Sequence, residues 1–153
     1  MKMVKLNLNK IIILLSSFVS VIAYSQKVNL IIFINNEIIT SPIGLEFYNK
    51  TSSDKYEFTY SPGKEIDIVS DIFKENMILR FDAYGNKEDP IKRYSYIIPL
   101  KMDLFKDTSF LIIKIYNLDK KKYRKKYCRS EEPYVVDFHK SGLYIDTVSA
   151  KCK

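Results

Sequence analysis

The chain has 153 residues, 46% of them apolar and 28% charged, with a formal net charge of +7. Such proportions are ordinary for a globular protein, and the length suffices for one domain with a real core. Lys2, Lys5 and Lys10 carry part of that charge in a leader without acids, so the remainder is only mildly basic.

The N-terminus carries the most specific signal. The three lysines precede an apolar run over residues 11–23, and Ala23 and Ser25 are small residues at the −3 and −1 positions of a cut before Gln26. This reads as a secretory signal peptide over residues 1–25, followed by a single domain over 26–153. An uncleaved membrane anchor is the rival reading, but thirteen residues are short against the ~20 that span a bilayer. No cysteine stands near the cut, which argues against lipid attachment. The expectation is export to the periplasm or the extracellular space, with no transmembrane span in the mature chain.

The mature part reads as short strands divided by turns. Residues 26–34 alternate with two apolar faces, and Asn35-Asn36 marks a turn. Residues 43–48 alternate Ile43, Leu45 and Phe47 against Gly44, Glu46 and Tyr48. Residues 55–60 set Tyr56, Phe58 and Tyr60 against Lys55, Glu57 and Thr59, so one face is buried and one wet. Residues 65–76 fit a strand at 65–69 and a helical turn at 70–75, with the choice open. Residues 77–84 turn Met77, Leu79, Phe81 and Ala83 inward and Ile78, Arg80, Asp82 and Tyr84 outward. In 93–100, Tyr94, Tyr96, Ile98 and Leu100 share a face, and Pro99 places the strand at an edge or ends it. Residues 101–107 read as a connector. Residues 108–116 are the strongest strand, mostly apolar on both faces and hence central. Residues 134–139 turn Tyr134, Val136 and Phe138 inward, and 143–148 suit a last short strand.

Seven or eight short strands, frequent turns and no long amphipathic helix indicate an all-β fold, an antiparallel β-sandwich. The predicted core is Leu30, Ile32, Leu45, Phe47, Phe58, Leu79, Phe81, Leu111, Ile113, Val136 and Phe138. The stretch VNLIIFINNEIITSPIGLEFYN resembles the first hairpin of prealbumin-like and immunoglobulin-like sandwiches of exported bacterial proteins. The leader ending Ala-Tyr-Ser-Gln and the stretch IIKIYNLDKKKYRKKY are similar to segments of small uncharacterised exported proteins of Bacteroidota-type bacteria. The resemblance is one of pattern and carries over no site. The Trp and paired-Cys hallmark of antibody domains is absent.

Export favours a disulfide between Cys128 and Cys152, the only cysteines. Closing that loop is worth roughly 3 kcal/mol. Two free thiols are the alternative.

Few residues suit catalysis. His139 is the single histidine and lies two residues from Asp137. A triad needs a nucleophile beside such a base, and no nucleophile motif supplies one. One His and two distant Cys make no zinc pattern. Asp82, Asn86, Glu88 and Asp89 surround Gly85, but their spacing does not match a calcium loop and a solvated loop fits better. Asp146-Thr147-Val148 resembles the O-glycosylation signal of the same bacteria, and Asn49-Lys50-Thr51 is discounted as a glycosylation site. No cofactor is expected.

The run from Lys120 to Arg129 carries the functional expectation. Lys120, Lys121, Lys122, Arg124, Lys125, Lys126 and Arg129 are basic, with Tyr123 and Tyr127 between them. Lysines neutralise anions and tyrosines can stack on rings. Extended or helical, the run would be a positive ribbon with aromatic anchors. The alternative is a solvated hairpin whose lysines discourage edge pairing. An exported protein would meet acidic glycans, lipopolysaccharide or an acidic envelope protein, and no nucleic acid is expected. The leading expectation is therefore a non-enzymatic binding module. A structural accessory domain of an envelope assembly and a hydrolase with carboxylate chemistry are the alternatives.

Overall fold

The structure, a computed structural model, describes residues 25–49, 54–69, 77–84, 91–127, 132–141 and 143–146. The leader to residue 24, the turn at 70–75, the loop residues Asn86, Glu88 and Asp89, the pair Cys128 and Cys152, Arg129, and Thr147-Val148 lie outside the described residues.

The described chain runs β1 (Ser25–Ile34), β2 (Glu37–Ile38), β3 (Ile43–Asn49), β4 (Lys55–Tyr60), β5 (Glu65–Val69), β6 (Met77–Tyr84) and β7 (Arg93–Leu100). A 3-10 turn at Met102–Leu104 leads to β8 (Phe110–Asn117), the helix α1 (Lys121–Lys126), β9 (Tyr134–Lys140) and β10 (Leu143–Asp146). A six-stranded sheet has the order β10-β9-β8-β1-β2, with β5 also paired to β1. A four-stranded sheet has the order β4-β3-β6-β7. Residues from both sheets form one hydrophobic cluster, so the sheets share a core.

Alternation produces this arrangement. Val28, Leu30, Ile32 and Ile34 of β1, and Leu111, Ile113 and Ile115 of β8, all enter the shared core. Leu45 and Phe47, Leu79 and Phe81, and Tyr96 and Ile98 enter it from the four-stranded sheet. Every residue of the predicted core but Phe58 belongs to this cluster, and Phe58, partly buried, packs against it.

Polar links tie the two layers. The Tyr60 hydroxyl accepts the Ile32 N–H at 3.1 Å. It thereby satisfies a β1 donor in the gap between β5 and β2, whose registers cover other residues of β1. The Tyr96 hydroxyl donates to Asn117 Oδ1 at 3.0 Å. Tyr134 of β9 reaches the main chain of Ile97 in β7, accepting from its N–H and donating to its carbonyl, each at 2.8 Å.

Three expectations need correction. The sheets are not wholly antiparallel, because β1 and β8 run parallel in the register Leu30↔Leu111 and Ile32↔Ile113. Both strands are apolar on two faces, the composition that parallel central strands carry. Ten strands stand among the described residues where seven or eight were expected. The extra count includes the two-residue β2, which returns from the Asn35-Asn36 turn. The connector at 101–107 contributes Leu104 and Phe105 to the core, and its chain turns through a left-handed Asp107 at φ 53°. Ile78, assigned outward, is buried.

Candidate functional site

Within the basic run, Lys121–Lys126 form the helix α1, against the outer surface of the six-stranded sheet. Six residues are too few to be helical on their own. Lysine and arginine tolerate a helix well, but Lys121–Lys125 and Lys122–Lys126 are like-charge pairs at i,i+4, which oppose it. Lys120, at the N-cap, makes no side-chain capping bond. Only the last-turn cations Arg124, Lys125 and Lys126 meet the negative end of the helix dipole favourably.

Two tyrosines hold the helix in place. Tyr123 is 5% and Tyr127 3% exposed, and they pack with Tyr116, Leu118 and Val135 in a second cluster. The Tyr116 ring lies 5.1 Å from that of Tyr123 and 5.3 Å from that of Tyr127. The Tyr123 hydroxyl also accepts from Asn36 Nδ2 at 3.1 Å. Asn35 and Asn36 are left-handed, at φ 55° and 70°, a conformation asparagine accepts more readily than most residues. Asn35 Oδ1 in turn accepts the Asn117 N–H at 2.9 Å, fastening the turn to the end of β8.

The expectation of exposed aromatic anchors therefore fails. Tyr123 and Tyr127 point into the protein because their rings cover Tyr116, and neither is open to stack on a ligand. What remains outside is charge. Lys121, Lys122, Arg124, Lys125 and Lys126 are exposed, and Lys120 is half-buried. Lys122 Nζ stands 4.8 Å from the Tyr123 ring centroid, and Lys126 Nζ 5.5 Å from that of Tyr116. Among the described residues, no carboxylate forms an ion pair with Lys121, Lys122, Arg124 or Lys126.

The acid nearest the helix in sequence is already engaged. Asp119 accepts from Lys92 Nζ at 2.5 Å and from the Tyr94 hydroxyl at 2.8 Å. Burial opposes its ionisation, but these two bonds outweigh it and hold the carboxyl below its usual range. Tyr116, beneath the helix, is pushed up to about 12, first by burial and then by Tyr127 beside it.

His139 lies half-buried opposite Ile112 on β8, and Asp137 opposite Lys114. Burial lowers the His139 pKa, Lys114 lowers it further, and Asp137 opposes both. Asp137 is buried and accepts from the Tyr127 hydroxyl at 3.3 Å. Among the described residues, no group of three potential metal ligands converges.

An open cleft of about 1280 Å³ lies elsewhere, between the chain at Ile38–Pro42 and the β3–β6 surface. Its Asp82 accepts from Arg93 at 2.6 Å and from the Ser95 hydroxyl at 2.5 Å. Those bonds, Ser95 first, hold the Asp82 carboxyl below its usual range. Its charge is thus satisfied internally.

Sequence reasoning missed the anchors of the helix, Tyr116 and the Asn35-Asn36 turn. The turn was visible as a dipeptide, but its partner lies 88 residues away in Tyr123. Among the described residues, no helix is long and apolar enough to cross a membrane. Comparison of this chain with family models, with curated proteins and with solved structures finds no match.

Proposed function

We propose that this chain is an exported, non-enzymatic binding module whose basic helix takes an anionic partner: an acidic glycan, lipopolysaccharide or an acidic envelope protein. One observation carries the reading. α1 gathers five exposed cations on six residues, against its own like-charge repulsion, and burial of Tyr123 and Tyr127 holds it there. A solvated hairpin that only discouraged edge pairing would need neither the helix nor its two anchors. An external anion between the cations would relieve the repulsion.

The exported form begins at Gln26, and Cys128 and Cys152 are bridged in it. The fold type is a sandwich of the prealbumin-like kind. The immunoglobulin arrangement pairs its first two long strands in one sheet. Here β1 pairs with β5 and β8, and β3 lies in the other sheet, which favours the prealbumin-like alternative.

Retention on a heparin column tests the reading. Wild-type protein is expected to bind and to elute at raised salt, because each neutralised anion releases counterions. Changing Lys121, Lys122, Arg124, Lys125 and Lys126 to Ser should abolish retention while the denaturation midpoint moves little. Equal retention of the variant would overturn the reading.

A further inference from the structure

The outer face of the six-stranded sheet does not end at the helix. On β8, Tyr116 under α1 is followed along the same face by Lys114, Ile112 and Phe110, since alternate residues share a face. In the parallel register β1 contributes Phe33 beside Lys114 and Ile31 beside Ile112. Ile31, Phe33, Phe110 and Ile112 are half-buried, and none of them belongs to the shared core or packs against it. Nor are they in the tyrosine cluster under α1. From Phe110 to Tyr116 the strip runs about 20 Å, at ~3.3 Å per residue. Its width is two strands, about 5 Å between their axes.

One end of this apolar strip is cationic. Lys126 Nζ stands at the Tyr116 ring, and Lys114 Nζ lies 5.9 Å from the Phe33 ring centroid, within the strip itself. An apolar track two strands wide that ends in a cation cluster matches a molecule with one hydrocarbon chain and an anionic head. We propose that this face binds a monomeric single-chain anionic amphiphile. Its head lies on α1 and its chain lies along Ile31, Phe33, Phe110 and Ile112.

The helix argues against docking onto a bilayer surface. A membrane-bound amphipathic helix turns its apolar face to the lipid, whereas α1 has spent its apolar face on Tyr116, Leu118 and Val135. The proposal rests on the anion-binding reading of α1 and adds the chain to the head.

Calorimetric titration with hexyl, octyl and decyl phosphate below their micellar concentrations tests it, beside heparin retention of the same preparation. Expected are heparin retention and affinity that rises about two- to fourfold per added methylene. Ile112→Ser should flatten that dependence and leave heparin retention intact, and Phe110→Ser should do the same by an independent substitution. Heparin retention without chain-length dependence would overturn this proposal and leave the anion reading standing. Loss of both would overturn both. Binding to anionic phospholipid vesicles without binding of the monomers would overturn it in favour of a membrane surface. Absence of chain dependence in protein that retains residues 1–25 by mass would assign the strip to the chain's own apolar run, and overturn it likewise.

Discussion

The hydroxyl of Tyr123 donates to the main-chain carbonyl of Asn35 at 2.8 Å, joining the basic helix to the turn that follows β1. Asn35 is itself buried, so its carbonyl has little access to water. Tyr123→Phe should therefore cost ~1 kcal/mol, the net worth of a buried hydrogen bond. Urea denaturation would measure it. Tyr123→Ala should go further and release α1, so that heparin retention falls although no cation is removed.

The shared core gives a larger effect. Phe81 is almost fully buried and lies 5.1 Å from the Tyr96 ring. Phe81→Ala should destabilise by ~3–5 kcal/mol through lost burial and the cavity left behind. A loss below ~1 kcal/mol would mean that the face of β6 is assigned wrongly.

Alkaline pH should weaken the fold. Burial raises the pKa of Tyr60, Tyr94, Tyr96, Tyr116 and Tyr134, with Tyr116 reaching about 12. The unfolded chain ionises these groups near 10 and so binds fewer protons than the native state above that pH. Stability is then complete below about pH 10 and declines as pH rises toward 12. Denaturation midpoints across this window would follow the decline, and the tyrosinate absorbance would show late-titrating groups until unfolding releases them.

Tyr134 guards an edge. Its hydroxyl occupies both the N–H and the carbonyl of Ile97 on β7, the last strand of its sheet. The Ile97 side chain is 51% exposed beside these groups. Tyr134→Phe should free both main-chain groups and make that edge adhesive. Analytical ultracentrifugation should then find concentration-dependent association that the wild type lacks.

The strands were legible because each encodes its faces locally. The alternation over Lys55–Tyr60 and Met77–Tyr84 requires no partner to be read, and it located the core. The parallel pairing of β1 with β8 was not legible, since apolar faces on both strands announce burial but not direction. The helix was ambiguous for a geometric reason. Tyr123 and Tyr127, four apart, share a face in a strand as well as in a helix. What decides between them is Tyr116 and the Asn35 carbonyl, and neither belongs to the run. The abundance of charge also drew attention outward, while the tyrosines among the lysines were turning in.

The place of β1 has a consequence for how the chain comes to be folded. Gln26 Nε2 bonds the carbonyl of Thr108, 82 residues later, and the strand beside it is β8. β1 is the first described strand to be synthesised, yet β8, one of the three strands it pairs with, is made only after β7. Until then a strand with two apolar faces stands with one edge open. Such distant pairing makes folding slow, so the nascent chain stays loose for most of its synthesis. Only the arrival of β8 closes that edge and completes the sheet.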